Sequence, residues 1–191
     1  MRKVLWTSIL YTLVTTVLLG ILYPLAVWGI AKVAFPSQAN GSLVYKGGTL
    51  VGSRLIGQAF SGPNYFHGRP SAAGAGYDPT ASGGSNYGPT NKKLMDRIAG
   101  DVTTAQTDRP GEAVPVDLVT ASGSGLDPDI TPAAAEYQLN RVAKARGMSE
   151  LELHHLVAKH TTQRTLGFLG EPVVNVLELN LDLDGQAKAA Q

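Results

Sequence analysis

The hydrophobic pattern of the chain begins with one long uncharged run. Val4 to Ala31 is twenty-eight residues without a charge and consists mostly of Leu, Val, Ile, Trp and Tyr. As a helix rising ~1.5 Å per residue, it would be about 42 Å long, enough to cross a hydrocarbon core of ~30 Å. A signal peptide has a shorter apolar core of about 7–15 residues, although Ser37-Gln38-Ala39 offers small residues for cleavage. The pattern favours a retained transmembrane anchor, residues 1–36.

The charges that flank this run predict its orientation. Arg2 and Lys3 precede it, and Lys32 closely follows it. Since Lys and Arg are enriched on the cytoplasmic side of a membrane span, we expect a cytoplasmic N-terminus. Residues 37–191 then form one soluble extracytoplasmic domain.

One side of the apolar run is small and weakly polar. The residues that recur there every four positions are Ser8, Thr12, Thr16, Gly20 and Pro24. Small residues let a second helix approach closely in a bilayer, so the row predicts a packing face for a partner helix. The alternative is that the hydroxyls only bond carbonyls four residues back in their own helix.

The pattern after the anchor mixes short strands with helices. Leu43-Val44-Tyr45 and Thr49-Leu50-Val51 surround a Gly pair and predict a hairpin. Val114 to Thr120 is β-prone, and Val176 to Asp184 alternates Leu with polar residues, which predicts a half-buried strand. The tail from Gln186 is polar and is expected to fray.

Three helices are predicted between these segments. The first begins at Thr90 as N-cap and places Leu94, Ile98 and Val102 on one face. The second has Thr131 as N-cap, Pro132 at its first position and Gly147 at its end. The third begins with a capping box of Ser149 and Glu152 and runs to about Gln163. The fold class is therefore α+β.

Gly57 to Pro89 differs from the rest of the chain. It holds eight Gly and four Pro with no helical or strand period, yet it also holds five of the thirteen aromatic residues. Flexible linkers are poor in aromatic residues. The segment is therefore predicted to be a long ordered loop region, and such loops are usually functional.

Composition narrows the chemistry. Beyond residue 36 there are thirteen Lys and Arg against fifteen Asp and Glu, so nothing indicates nucleic-acid binding. The sequence has no cysteine, which excludes disulfides and thiolate chemistry. No phosphate-binding P-loop motif and no Gly-x-Ser-x-Gly motif occurs. Arg141, Lys144 and Arg146 are interpreted as a solvated helix face.

Two hypotheses of other classes remain open on these residues. A surface serine hydrolase would use Ser122 or Ser124 as nucleophile, Asp127 as orienting group and a distant His as base. A nucleotide-binding or anion-binding module would use loops such as Arg69-Pro70-Ser71. In both cases the same residues are also typical of a closed turn. His154, His155 and His160 are spaced to lie on different faces of one helix, which is not the pattern of a zinc site.

Long runs in order along the chain resemble one known family. They are four consecutive segments: Tyr65-Phe66-His67-Gly68-Arg69-Pro70-Ser71, Ser82-Gly83-Gly84-Ser85-Asn86-Tyr87-Gly88-Pro89-Thr90-Asn91, Asp117-Leu118-Val119-Thr120-Ala121-Ser122-Gly123-Ser124-Gly125-Leu126-Asp127-Pro128 and Gly170-Glu171-Pro172-Val173-Val174-Asn175. With the single apolar run before them, they are similar to the C subunit of the Kdp-type potassium-transporting ATPase.

The resemblance implies a non-catalytic subunit of a bacterial inner-membrane complex. Its partners would be a channel-like subunit that binds potassium and a P-type ATPase subunit that hydrolyses ATP, both in membrane lipid. It would act in assembly and as a catalytic chaperone that raises the pump's affinity for ATP. No tightly bound cofactor and no metal are implied.

The resemblance also bears on ATP. The family's nucleotide contact would fall on Ser82-Gly83-Gly84, which here is followed by Ser85 and Asn86 where the comparable transporter signature has Gln. An outward-facing domain does not meet cytoplasmic ATP, so we expect any effect on ATP to pass through the membrane subunits.

The loops also hold the candidate residues for contact with a partner subunit. They are Arg69, Ser82, Gly83, Gly84, Asn86, Asn91, Ser122, Ser124, Asp127 and Asn175.

Overall fold

The structure is a computed structural model that describes residues 1–189, with side chains described to residue 185. The chain divides into two compact units, Met1–Val51 and the residues from Gly52 onward.

The first unit is dominated by one long apolar helical segment. It consists of α1 (Arg2–Val17), a π-helical turn (Leu18–Leu22) and α2 (Tyr23–Ala34). These 33 residues are long and apolar enough to cross a membrane. The π-helical turn lies just before Pro24, which has no N–H to donate to the carbonyl of Gly20. Next to it, the N–H of Tyr23 bonds to the carbonyl of Leu18, which is five residues back and not the four of an α-helix.

A short helix and a hairpin follow. The helix is α3 (Pro36–Ala39), and β1 (Leu43–Lys46) pairs with β2 (Thr49–Ser53) in a two-stranded sheet. The predicted hairpin is confirmed.

The second unit packs helices on a small antiparallel sheet. Its elements are α4 (Lys92–Ala105), a 3-10 turn (Val116–Leu118), β3 (Asp129–Ile130), α5 (Pro132–Arg146), α6 (Glu150–Lys159), β4 (Thr161–Thr162), β5 (Val173–Asn175) and α7 (Val176–Ala189). The strand order is β3-β5-β4, and Val174 on the central strand lies opposite both Ile130 and Thr161.

The core of this unit lies where α5, α6 and α7 meet the sheet. Its buried side chains are Phe66, Ile130, Ala134, Ala135, Leu139, Val142, Ala143, Leu153, Leu156, Val157, Val174, Val176, Leu179 and Leu183. Phe66 is the one member contributed by the glycine-rich region, and it is fully buried. The mixed α+β fold class is therefore confirmed.

Two of the three predicted helix starts are confirmed. The hydroxyl of Thr131 accepts from the N–H of Ala134 at the start of α5, and Ser149 and Glu152 form the reciprocal capping box of α6. The prediction for α4 was wrong by one residue, because Asn91 is the N-cap and its side chain accepts from Lys93. Helix α6 ends at Lys159, before the predicted Gln163.

The predicted strand from Val176 to Asp184 is wrong, because this segment is the helix α7. Its leucines alternate, but the buried positions are Val176, Leu177, Leu179, Asn180 and Leu183. Four of them, at 176, 179, 180 and 183, have the spacing of one helix face, and Leu177 lies beside that face. Leucine and glutamate also favour a helix, whereas strands prefer β-branched residues. The first residues of the expected fraying tail, up to Ala189, continue the helix, and residues 190 and 191 lie outside the described part of the chain.

The β-prone segment from Val114 to Thr120 also forms no strand. It makes a 3-10 turn after Pro115, whose nitrogen has no hydrogen to donate to a sheet. The carboxylate of Asp117, which is buried, accepts from the N–H of Thr131 at 2.7 Å. This bond ties the turn to the start of α5.

Candidate functional site

The candidate site is built on the Gly-rich loop, which we define as residues 57–89. It contains no helix or strand, yet it runs partly through the interior of the second unit. Buried backbone N–H and C=O groups need hydrogen-bond partners. The loop has no ladder of its own, so a few isolated backbone bonds, such as that from the N–H of Gly57 to the carbonyl of Leu126, are supplemented by side chains.

Two amide side chains supply them at the most buried point of the loop. Asn180 of α7 accepts from the N–H of Phe66 at 2.9 Å and donates to the carbonyl of Phe66 at 2.9 Å. Gln138 of α5 treats the next residue in the same way, accepting from the N–H of His67 at 2.8 Å and donating to its carbonyl at 3.1 Å. The two amides thus replace a neighbouring strand.

Arginines of α5 hold the residues before this point. The guanidinium of Arg141 donates to the carbonyls of Gly62, Pro63 and Tyr65 at 2.8–3.2 Å, and its Nε lies 3.0 Å from the carboxylate of Asp108. Its side chain is only 12% exposed.

Arg146, five residues further along α5, holds the same part of the loop. It donates to the carbonyl of Asn64 and to the carboxylate of Asp184, and its guanidinium lies 4.9 Å from the ring centre of Tyr65. The interpretation of Arg141 and Arg146 as a solvated helix face was therefore wrong, whereas Lys144 is exposed as expected. A helical spacing of basic residues does not show whether a loop covers them.

The same environment changes the acid–base behaviour of the groups under the loop. Burial, together with the positive charge of Arg141, lowers the pKa of His67. The ring Nε2 of His67 lies 2.9 Å from the carbonyl of Gly62, to which the neutral ring donates its proton. Burial also lowers the pKa of Arg141, opposed by the carboxylate of Asp108.

A turn inside the loop is organised around Ser71. Its hydroxyl accepts from the N–H of Tyr77 at 2.7 Å and from that of Ala73 at 3.2 Å, and it donates to the carbonyl of Gly125. The hydroxyl of Tyr77 in turn donates to the carbonyl of Arg69. Burial, with the charge of Asp127, raises the pKa of Tyr77.

Arg69 joins the loop to the turn from Ser122 to Pro128. Its guanidinium lies 3.0 Å from the carboxylate of Asp127, and its Nε donates to the carbonyl of Thr120 at 3.3 Å. Both side chains of the ion pair are only about a quarter exposed, 25% and 29%. Two residues that the sequence placed in separate candidate loops are thus direct partners.

Ser82, Gly83 and Gly84 lie along the same turn. The hydroxyl of Ser82 and the N–H of Gly83 both donate to the carbonyl of Ser124, at 3.0 and 2.8 Å. Gly125 has φ +67°, and a side chain there would come within 2.7 Å of the backbone of Ala73 and of Gly83. Only glycine suits this conformation and this close approach.

The remaining candidates fall outside this junction. Asn86 is exposed and has a positive φ of 53°, and the residues after it to Thr90 are exposed as well. Asn91 caps α4. Asn175 accepts from the N–H of Glu178 at the start of α7 and donates to the carbonyl of Arg54 and the carboxylate of Asp129.

An open cleft of about 610 Å³ lies between the Gly-rich loop and the helices α4 and α5. The charged residues in its lining are Arg69, Asp101, Asp108 and Arg141, and the neutral ring of His67 lies among them. Asp101 is paired with Arg97 at 2.7 Å, so the charges of the lining are engaged within the domain.

The serine and histidine side chains required by the serine hydrolase hypothesis contact other groups and not each other. The hydroxyl of Ser122 accepts from the N–H of Gly125 at 2.9 Å and lies 3.4 Å from that of Ser124. The histidines contact other groups, since His160 bonds to Asp182 and His154 lies 3.4 Å from Glu136. Among the described side chains, residues 1–185, no group of three or more metal-ligating side chains is assembled.

The small row of the apolar helix shows one hydroxyl that bonds within its own helix. Ser8 donates to the carbonyl of Val4 at 3.0 Å, and the neighbouring Thr15 donates to that of Tyr11 at 2.8 Å. The packing role of the whole row, which is Ser8, Thr12, Thr16, Gly20 and Pro24, stays a prediction.

These observations define a class of protein. An apolar helix long enough to cross a membrane precedes an α+β domain in which arginine, serine and amide side chains fix a long loop, so these features define a membrane-anchored protein. Comparison with known proteins gives the family. The family described as "K+-transporting ATPase, c chain" matches residues 5–185, and the chain belongs to it.

Similar relatives carry a corresponding name. The "Potassium-transporting ATPase KdpC subunit" of Koribacter versatilis is 60% identical over 185 residues, which cover 97% of this chain and 96% of the relative. The proteins of that name from Caulobacter vibrioides and Acidobacterium capsulatum are 57% identical over 172 residues (90% of this chain, 87% of the relative) and 55% identical over 178 (93% and 96%). The expected resemblance is confirmed, and the chain is an accessory subunit, not the catalytic one.

Proposed function

We propose that this chain stabilises the assembled potassium-transporting ATPase of a bacterial inner membrane and raises the affinity of its P-type pump subunit for ATP. The observation that carries the proposal is the match over residues 5–185 to a family of subunits of such an ATPase. The ordered Gly-rich loop supports a binding role, because its own side chains and those of α5 and α7 fix its shape before any partner arrives. A preformed surface loses less entropy on binding.

In this proposal the membrane helix docks on the channel-like subunit that binds potassium. The row of Ser8, Thr12, Thr16, Gly20 and Pro24 is the contact face, since small residues permit close helix packing in lipid. Arg2 and Lys3 favour a cytoplasmic N-terminus, so the domain from residue 37 onward lies outside the cell membrane.

The exposed end of the Gly-rich loop, Asn86 to Pro89, together with the adjoining Thr90, is the proposed contact surface of the domain. By contrast, Arg69, Ser82, Gly83, Ser122 and Asp127 act from within, because their bonds set the position of that end. On this arrangement the chain does not touch cytoplasmic ATP. Its effect on ATP affinity is a coupling free energy transmitted by the membrane subunits.

The test is purification of the complex from native membranes with and without this chain. Potassium-stimulated ATPase activity and potassium uptake are then measured in both preparations. We expect the chain to co-purify with the larger subunits and both activities to fall without it. Full activity and an intact complex in its absence would contradict the proposal.

A second comparison addresses the helix. Thr12, Thr16 and Gly20 are changed together to Leu, and Thr7 and Gly29, which lie away from the row on the same helix, are changed to Leu as the control. The first set is expected to lower the yield of co-purified subunits and the second to leave it unchanged. Equal yields would remove the row as a docking face.

A further inference from the structure

The connection between β4 and β5 ends in an exposed apolar tip, which we define as Leu166, Phe168 and Leu169. Their exposed fractions are 80%, 68% and 50%. Large apolar side chains at such exposure are unfavourable in water. They are grouped within four residues of sequence, on a loop that takes no part in the Gly-rich loop or its junction.

The tip is held in one shape by its own backbone. Thr165 and Leu169 exchange two hydrogen bonds of 2.9 Å, and the N–H of Gly167 donates to the carbonyl of Arg164 at 3.0 Å. Below the tip, Arg164 and Glu171 form an ion pair. Because these backbone groups are already paired, the tip enters an apolar environment without leaving them unbonded.

The backbone conformation of Leu166 is unfavourable in the isolated chain. Its φ is +55°, followed by +81° at Gly167. A left-handed conformation is unfavourable for leucine, whereas glycine or asparagine adopts it readily. The sequence thus places a bulky apolar side chain where a small or polar residue would fold better, and burial against another molecule would offset that strain.

Three kinds of occupant are conceivable, and two fit poorly. A dimer of the chain held together by the tip alone would have to bury about 800 Å² of surface on each partner. Even an aromatic side chain buries only about 150–250 Å², so three side chains are too few. Leu and Phe do insert at a lipid surface, but stable binding there also draws on Lys, Arg, Trp or Tyr beside them. Between Gln163 and Pro172 there is no Trp or Tyr, and the one cation, Arg164, is paired.

An apolar pocket on another protein subunit fits best. Few, rigid and apolar anchors suit the centre of a larger interface, where a handful of residues dominates the binding energy. We propose that the apolar tip inserts into an apolar pocket on another subunit of the same ATPase. This inference rests on the proposed function, since it requires that the chain assembles with such subunits.

The absence of cysteine from the sequence permits a direct test. The full chain is made as Phe168→Cys and, as a matched control, as Leu151→Cys, because Leu151 of α6 is 66% exposed. Each is labelled with a polar maleimide in three forms: the purified complex, the chain alone in detergent, and the chain alone in vesicles of phosphatidylethanolamine and phosphatidylglycerol. The labelling rate of this chain is read as a gel shift.

We expect labelling at position 168 to slow by about tenfold or more in the complex only, because a buried anchor is shielded from water. Position 151 should react alike in all three forms. Equal rates at position 168 in the complex and in the free chain would overturn the proposal. Protection in vesicles without other subunits would assign the tip to lipid, and protection of the free chain that grows with its concentration would assign it to self-association.

A second variant separates binding from folding. Leu166→Gly removes the side chain and relieves the left-handed strain, so the free chain should unfold at the same urea concentration as the unchanged chain or a higher one. The amount of larger subunit that it retains should nevertheless fall. Undiminished retention would overturn the proposal. If the complex shows protection at position 168 while ATP affinity does not depend on the chain, the proposed function fails and the tip proposal stands.

Discussion

The side-chain amide of Asn180 is bonded to both backbone polar groups of Phe66, accepting from its N–H and donating to its carbonyl at 2.9 Å each. Asn180 is 1% exposed and Phe66 is fully buried. A helix thereby offers a loop the pair of bonds that a neighbouring strand would provide. The loop is able to pass through the core without regular structure of its own.

Asn180→Leu tests this role. It keeps the approximate size of the side chain but leaves the N–H and C=O of Phe66 buried and unpaired, and each such group costs about 1–3 kcal/mol. We expect the free energy of unfolding to fall by about 2–4 kcal/mol, measured by urea denaturation of the full chain in detergent. Gln163→Leu, at an exposed amide, is the control. A loss no larger than that of the control would contradict the role of Asn180.

The ion pair of Arg69 and Asp127 should stabilise the junction of the Gly-rich loop. A double-mutant cycle with Arg69→Leu and Asp127→Asn is expected to give a coupling energy of about 1–2 kcal/mol, since the pair is hydrogen-bonded and only a quarter exposed. The matched control is Lys92 and Asp96, an i,i+4 pair whose side chains are 85% and 63% exposed. It should give about 0.5 kcal/mol or less. Equal coupling in the two pairs would show that the junction does not depend on Arg69.

His67 should make the stability of the domain sensitive to mild acid. Burial and Arg141 lower its pKa in the folded chain below the ordinary 6.5. Below that pH the unfolded chain binds a proton that the folded chain does not, so the free energy of unfolding falls as the pH falls from about 6.5 towards the folded pKa. His67→Gln keeps a donor for the carbonyl of Gly62 and has no such titration.

The measurement is urea denaturation at about pH 7.5 and pH 5.5, a range that spans the ordinary pKa of histidine. The stability lost between the two pH values should be smaller in His67→Gln than in the unchanged chain. His155→Gln, at an exposed histidine, serves as the control. If His67→Gln lost as much as the unchanged chain, the buried state of His67 would be wrong.

The sequence predicted those features that depend on neighbouring residues. The apolar helix, the first hairpin and the caps at Thr131 and Ser149 all follow from local pattern. The partners of that loop do not, because Asn180, Gln138 and Arg141 are far from it in sequence and look like ordinary polar positions of helices. The alternation in α7 was misleading for the same reason, as only the packing shows that Asn180 faces inward.

The candidate site was predicted in part. The sequence singled out Arg69 and Asp127 but not their contact, and it singled out Ser82 and Ser124 but not the bond between them. Closely spaced glycines allow two backbones to approach each other. Such glycines occur in the Gly-rich loop, at Gly83 and Gly84, and in the turn from Ser122 to Pro128, at Gly123 and Gly125. They were the one local sign that these two segments meet. The arginines that hold residues 62–65 gave no such signal.

Orientation is tested with reporters fused after Gln191. We expect alkaline phosphatase, which is active only outside the cytoplasm, to be active there and a cytoplasm-dependent fluorescent protein to be dark. Arg2 and Lys3 carry this expectation. Changing both to Glu should therefore reduce the phosphatase signal, while changing Lys46 and Arg54 to Glu, beyond the helix, should not. Activity of the cytoplasmic reporter alone would place the domain on the side of ATP.

The proposed effect on ATP is tested most directly by the ATP dependence of potassium-stimulated hydrolysis. The complex is assayed over a range of ATP concentrations with this chain present, absent, and restored by adding the purified full chain. The account predicts that the ATP concentration for half-maximal rate rises when the chain is absent and returns when it is restored. An unchanged half-maximal concentration in all three preparations would contradict it.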